Sequence, residues 1–148
     1  MKKVIKGGKV TTSTDVFEAD LLIEDGVITQ IAKTIDVADA EVIDASGKYV
    51  MPGGIDPHTH LDMPFNNTVT DDDWESGTVA AAFGGTTTIL DFCLSAGETK
   101  LSDAVAKWHA KAQGKAVIDY GFHLMITDLT PETEKELPII LKQEGITS

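Results

Sequence analysis

Two histidines separated by one residue are the side chains in this sequence whose type and spacing most directly suggest chemistry. His58 and His60 follow a Pro52-Gly53-Gly54 turn and flank Thr59. Side chains alternate between the two faces of an extended strand, so both imidazoles are expected on one face. Zinc takes nitrogen ligands of this kind, and a catalytic zinc site keeps one position open for water. The spacing therefore predicts a pair of metal ligands, and the alternative is a pair of strand histidines bonded to backbone carbonyls.

The residues after Pro52 alternate between strand-like and helix-like segments, which predicts a parallel sheet of the α/β class. Three such strand–helix units match the start of a (β/α)₈ TIM barrel, which takes eight units and about 250 residues. Function in such barrels lies at the C-terminal ends of the strands, which is where His58 and His60 fall. We predict strands at 55–60, 86–92 and 116–125, and helices at 70–83 (capped by Thr70), 102–113 and 131–145.

The residues before Pro52 read as short strands joined by turns, and we predict a small β-sandwich domain there. Three hairpins are expected, with turns at Gly7-Gly8, at Glu24-Asp25-Gly26 and at Ala45-Ser46-Gly47. The predicted domains are therefore an N-terminal β-sandwich part at 1–52 and the first three βα units of an incomplete TIM-barrel catalytic domain at 53–148.

Composition excludes several classes of function. The formal net charge is −12, and all 12 basic residues are lysines, so we expect no nucleic-acid partner. Cys93 is the single cysteine, which suits a reducing compartment, and we read it as a small buried filler rather than a nucleophile. No signal-peptide pattern or apolar run of about 20 residues occurs, so we expect a cytoplasmic protein without a membrane partner.

The segment 52–61 resembles the metal-binding signature of the amidohydrolase superfamily, and the segments 62–65, 71–78 and 80–88 resemble the hydantoinase/dihydropyrimidinase family within it. This resemblance implies two zinc ions, or another divalent metal, per subunit of a homotetramer, with His58 and His60 holding one ion. It also implies that a bridging carboxylated lysine, two further histidines and an aspartate lie beyond Ser148. We therefore expect no catalytic residue within this chain, which would be the N-terminal part of a longer enzyme and inactive alone.

The activity that the resemblance implies is hydrolysis of a cyclic amide to an N-carbamoyl amino acid. Related dihydroorotases and allantoinases carry an arginine just after the paired histidines, whereas Asp62 follows Leu61 here and the chain contains no arginine. We expect an acid at this place to repel an anion, which favours a neutral ring such as a hydantoin or a dihydropyrimidine. The alternatives are a non-catalytic dihydropyrimidinase-like assembly protein and another cyclic amidohydrolase such as an allantoinase.

The loops that follow the first two barrel strands are expected to shape the substrate pocket. Met63, Phe65 and Leu94 are candidates for its apolar wall, and the alternative is that they pack under long loops. His109 and His123 are interpreted as structural, although His123 is a candidate partner of the metal ligands. Asp56 and Asp91 are weaker candidates for orienting the ligands.

Overall fold

The computed structural model describes residues 1–98 and 100–148 of the chain. The chain forms two compact units, Met1–Pro52 and Gly53–Ser148. Among the helices in the described ranges, none has both the length and the apolar character needed to cross a membrane.

The first unit is a five-stranded sheet with the order β3-β2-β1-β4, in which β5 also pairs with β1. The hairpin predicted at Glu24-Asp25-Gly26 is confirmed, because β2 and β3 pair in antiparallel fashion on either side of it. Asp25 and Gly26 both have positive φ, as a tight turn requires. The strands are β1 (Lys2–Thr11), β2 (Val16–Glu24), β3 (Val27–Ala32), β4 (Glu41–Asp44) and β5 (Tyr49–Val50).

The other two predicted hairpins are wrong. β1 runs through Gly7-Gly8 as one strand with a bulge between Ile5 and Gly8, and β4 and β5 both pair with it in parallel, before and after that bulge. The glycines serve the bulge rather than a turn. Gly7 has a φ of +70°, and a Cβ on Gly8 would overlap the side chain of Val50.

The second unit contains a parallel three-stranded sheet with the order β10-β9-β6, so its strands lie side by side in chain order. The predicted strand–helix alternation is confirmed. The elements are β6 (Gly54–Thr59), β7 (Pro64–Phe65), β8 (Thr68–Val69), α1 (Trp74–Phe83), β9 (Thr86–Leu94), α2 (Leu101–Ala112), β10 (Asp119–Met125) and α3 (Pro131–Glu144).

Helix α1 begins four residues later than the position predicted from Thr70. Asp73 is the N-cap, and it forms a capping box with Ser76. The Thr70 hydroxyl accepts a hydrogen bond from the Met63 backbone N–H at 2.9 Å instead. Residues 64–69, between Met63 and Thr70, form the β7–β8 hairpin.

The core of this unit gathers buried residues from the strands and all three helices. Ile89 and Cys93 of β9 belong to one cluster with Trp74 of α1, Trp108 of α2 and Ile140 of α3. Burial alternates along the second half of β9, so its odd-numbered residues face this core. The intervening residues therefore point to the opposite face of the sheet.

Candidate metal centre and adjoining cavity

Three histidines meet around one phenyl ring on the sheet face opposite the core. Phe92 of β9 and His123 of β10 are register partners and so share a face. The Phe92 ring centroid lies 4.6 Å from that of His58, 5.1 Å from that of His60 and 4.7 Å from that of His123. Strand pairing thus places the predicted ligands beside an aromatic side chain at the C-terminal ends of the strands.

The two predicted ligands lie next to each other at the end of β6. The ring centroids of His58 and His60 are 5.0 Å apart with the rings at 89°. His58 is exposed and His60 is half-buried. His60 Nδ1 is buried and has no hydrogen-bond partner within 1–98 and 100–148. A buried polar atom left unpaired typically costs about 1–3 kcal/mol, so this nitrogen fits a site in which it binds an ion.

These two imidazoles would account for only part of a metal site. Zinc takes about four ligands, of which nitrogen from histidine is a preferred type. Within the described residues, no group of three or more His, Cys, Asp or Glu side chains is arranged to hold a metal ion. A complete centre here would need ligands in addition to His58 and His60.

A cavity of about 370 Å³ adjoins His60. Met63, Phe65 and Leu94, the three residues predicted for an apolar wall, lie together around it. Met63 is buried, whereas Phe65 at the β7–β8 hairpin is 65% exposed and so forms the outer rim. The remaining lining residues are Pro64, Thr70 and Met125.

His123 shares the face of the paired histidines, but both of its ring nitrogens are bonded. Nε2 lies 2.9 Å from the Pro57 carbonyl oxygen and Nδ1 lies 2.6 Å from Ser148 Oγ. A carbonyl only accepts, so Nε2 donates to Pro57, and Nδ1 forms the second bond with the serine hydroxyl. The side chain therefore holds the backbone just before His58 and is not free to bind an ion.

Asp91 of β9 is fully buried beneath the end of β6. Its carboxylate accepts hydrogen bonds from Thr59 Oγ1 at 2.9 Å and from the Leu61 N–H at 2.8 Å. Burial raises the pKa of this carboxyl group above its ordinary value, while the hydrogen bonds act in the opposite direction. An acid within an otherwise apolar strand segment is the signal in the sequence that points to this residue.

Asp62 is not placed to repel an anionic substrate, contrary to the expectation from the sequence. Lys111 Nζ lies 3.2 Å from the Asp62 carboxylate and also donates to the Asp62 carbonyl oxygen. The negative charge is therefore compensated by a lysine of α2, and Asp62 is absent from the cavity lining. Repulsion of an anionic substrate by Asp62 is not supported.

Cys93 and His109 have the structural environments that the sequence suggested. Burial raises the pKa of the Cys93 thiol to about 12, so the reactive thiolate is disfavoured. His109 Nε2 lies 3.3 Å from a carboxylate oxygen of Glu144, and its ring meets Phe122 edge-on at 4.9 Å. His109 of α2 thus packs against α3 and β10.

The sequence and the fold are similar to those of known proteins over almost the whole chain. The chain is 63% identical over 148 residues to the D-hydantoinase of Geobacillus stearothermophilus, covering 100% of this chain and 31% of that protein. It is 42% identical over 150 residues to dihydropyrimidinase 1 of Caenorhabditis briggsae, covering 98% of this chain and 30% of that protein. The crystal structure of a dihydropyrimidinase from Brevibacillus agri superposes with a TM-score of 0.96 at 55% identity, covering 99% of this chain and 32% of that one.

The chain thus spans about a third of the length of these relatives. The sequence pattern of the amidohydrolase family matches residues 41–136. The resemblance to hydantoinases and dihydropyrimidinases read from the motifs is confirmed, and the chain belongs to the amidohydrolase family.

Proposed function

We propose that the protein containing this chain is a metal-dependent hydrolase that opens a neutral cyclic amide to an N-carbamoyl amino acid. The ring would be a hydantoin or a dihydropyrimidine. The observation that carries the proposal is the His58–His60 pair at the end of β6, with the buried Nδ1 of His60 lacking a partner in the described part of the chain. The names of the similar proteins, D-hydantoinase and dihydropyrimidinase, support the class of substrate.

We propose further that residues 53–148 are the first three βα units of a TIM barrel and that residues 1–52 are part of a β-sandwich. Two features of the second unit support the barrel. Its strands lie side by side in chain order, and the Leu124 N–H on the free edge of β10 donates to the Ser148 carbonyl at 2.9 Å. That bond is where a fourth parallel strand would begin to pair.

In this proposal the chain supplies two ligands and one side of the substrate pocket. His58 and His60 would bind one of two zinc ions, while a bridging carboxylated lysine and the remaining ligands would lie beyond Ser148. The bound metal would polarise the ring carbonyl and lower the pKa of water towards about 7. No carboxylate lines the cavity among the residues that the structure describes, so we assign proton transfer to the leaving nitrogen to a residue outside this chain.

The apolar wall would hold the ring and exclude water from it. Met63, Phe65 and Leu94 present carbon to the cavity, and apolar walls with few polar groups are typical of small-molecule sites. A carboxylate on the substrate would be desolvated there without an arginine from this chain to pair with it. The neutral-ring preference therefore depends on the lining and on the lack of arginine, not on Asp62.

The retained pair of histidines favours an enzyme over a non-catalytic assembly protein. A homotetramer and a cytoplasmic location remain proposals based on the family resemblance. The free, buried thiol of Cys93 suits the reducing compartment that this location implies.

Metal analysis of the full-length protein with His58→Ala and His60→Ala tests the ligand assignment. We expect about two divalent ions per subunit in the unchanged protein. Metal content should fall markedly in both variants, because each substitution removes an imidazole that would bind an ion. His109→Ala is the matched control, since His109 is bonded to Glu144 away from the site. Unchanged metal content in His58→Ala and His60→Ala would refute the proposal.

A further inference from the structure

We propose that Asp91 is a positioning residue that holds the end of β6 so that the His60 imidazole points at the metal. The inference rests on the proposed metal-binding role of His60. It concerns a residue that acts through the two neighbours of His60, by way of the Thr59 hydroxyl and the Leu61 backbone N–H.

The Asp91 carboxylate binds both neighbours of His60 through one oxygen. Oδ2 accepts from Thr59 Oγ1 at 2.9 Å and from the Leu61 backbone N–H at 2.8 Å. The other oxygen, Oδ1, accepts from the Phe92 N–H at 2.8 Å and from Trp108 Nε1 at 3.3 Å. One oxygen of the carboxylate is therefore fixed by Phe92 and Trp108, and the other binds the residues on either side of His60.

These hydrogen bonds lie where the backbone pairing between β6 and β9 ends. β6 ends at Thr59, and its pairing with β9 is irregular between Asp56 and Thr59. Beyond that point the Leu61 N–H bonds to the Asp91 carboxylate in place of a ladder carbonyl. With Thr59 and Leu61 bonded on the core side, strand alternation directs His60 to the opposite face, where its ring meets Phe92.

An asparagine cannot reproduce these bonds. The N–H groups of Leu61, Phe92 and Trp108 can only donate, and at least one of them faces each oxygen of Asp91. Whichever way an amide is turned, its NH₂ group would face a buried N–H. The conflict would be relieved by movement of the 59–61 segment, which carries His60.

The test is the metal affinity of the full-length protein with Asp91→Asn, measured by competition with a chromophoric chelator. We expect affinity for Zn²⁺ to fall by about 10-fold or more, as is typical when a group that orients a ligand is lost. We also expect a changed visible absorption spectrum in the Co²⁺-substituted protein, because that spectrum reports ligand geometry. Thr59→Val removes one of the two bonds to Oδ2 and should shift both readouts in the same direction by less.

Asp20→Asn is the matched control for the loss of a buried carboxylate. Asp20 accepts backbone N–H groups of Gly7 and Ile35 with its two oxygens, each at 2.9 Å, and it lies in the first unit. It should lower thermal stability and leave Zn²⁺ affinity and the Co²⁺ spectrum unchanged.

Each result decides the inference. Unchanged affinity and spectrum in a folded Asp91→Asn protein would overturn it, and if that variant does not fold, unchanged values in Thr59→Val would do so. His60→Ala in the same series separates the two proposals. If His60→Ala retains full metal content, the ligand assignment itself fails, whereas loss in His60→Ala alone refutes only the role of Asp91.

Discussion

At the scale of single residues, hydrogen bonding separates the histidines that share one sheet face. His123 has both ring nitrogens bonded, to Pro57 and Ser148, whereas Nδ1 of His60 has no partner in 1–98 and 100–148. The His-x-His spacing was sufficient to predict that the imidazoles of His58 and His60 share one face. Asp91 is a candidate from the sequence for orienting the ligands, but its partners could not be predicted, because they lie 30 and 32 positions away in the sequence.

Phe65→Ala tests the pocket wall. We expect catalytic efficiency on hydantoins with a bulky 5-substituent to fall by about 10-fold or more relative to unsubstituted hydantoin, because the substituent would lose an apolar contact. The measurement is kcat/KM for the two substrates with the full-length protein. Phe83→Ala is the control, since Phe83 ends α1 and is 90% exposed. An equal loss on both substrates would remove Phe65 from the wall.

At the scale of elements, local pattern predicted the second unit better than the first. Each βα unit is built from neighbouring segments, and signals such as Thr130-Pro131 marked the start of α3 correctly. In the first unit the partners of β1 are distant in sequence. A glycine pair is compatible with a β-bulge as well as with a tight turn. Gly7-Gly8 therefore could not predict that β1 continues and pairs with β4 and β5. Likewise, both Thr70 and Asp73 can cap a helix N-terminus. Asp73 is the cap, because the Thr70 hydroxyl is hydrogen-bonded to the Met63 N–H.

Gly77→Ala tests the packing of α1 against the end of β6. A Cβ at Gly77 would overlap the Leu61 side chain, so we expect a loss of about 1–3 kcal/mol in the free energy of unfolding. This loss should appear although alanine is the better helix former by about 1 kcal/mol. Urea denaturation measures it.

The control is the same substitution in a Leu61→Ala background, where the overlapping atoms are absent. There Gly77→Ala should be neutral or stabilising. A similar loss in both backgrounds would show that the contact with Leu61 is not the cause.

At the scale of the molecule, the described residues form two units whose folds are each set by strand pairing within the unit. The sequence could predict a parallel sheet from alternation, and the comparisons extend the likeness to proteins about three times as long. Closure into a barrel would involve strands outside these residues. It therefore stays a proposal, as does the completed metal centre.

Under the proposed function, substrate charge is the property on which the full-length protein should discriminate most clearly. Dihydrouracil and dihydroorotate differ by one ring carboxylate, and we expect kcat/KM to favour dihydrouracil by at least about 100-fold, because an unpaired charge is costly to desolvate in an apolar site. Steady-state kinetics on the full-length protein at matched metal content measures this ratio. A preference for dihydroorotate would show that a cationic group from elsewhere completes the pocket.

The phenyl ring of Phe92 has a consequence for what an arriving ion would have to displace. The ring packs against the imidazoles of His58, His60 and His123. A phenyl ring has no hydrogen-bond donor or acceptor atom, so it forms no hydrogen bond with their nitrogens. Within the described residues, His60 Nδ1 has no competing partner to release. An ion that binds at this nitrogen should thus displace no protein hydrogen bond made by the described residues.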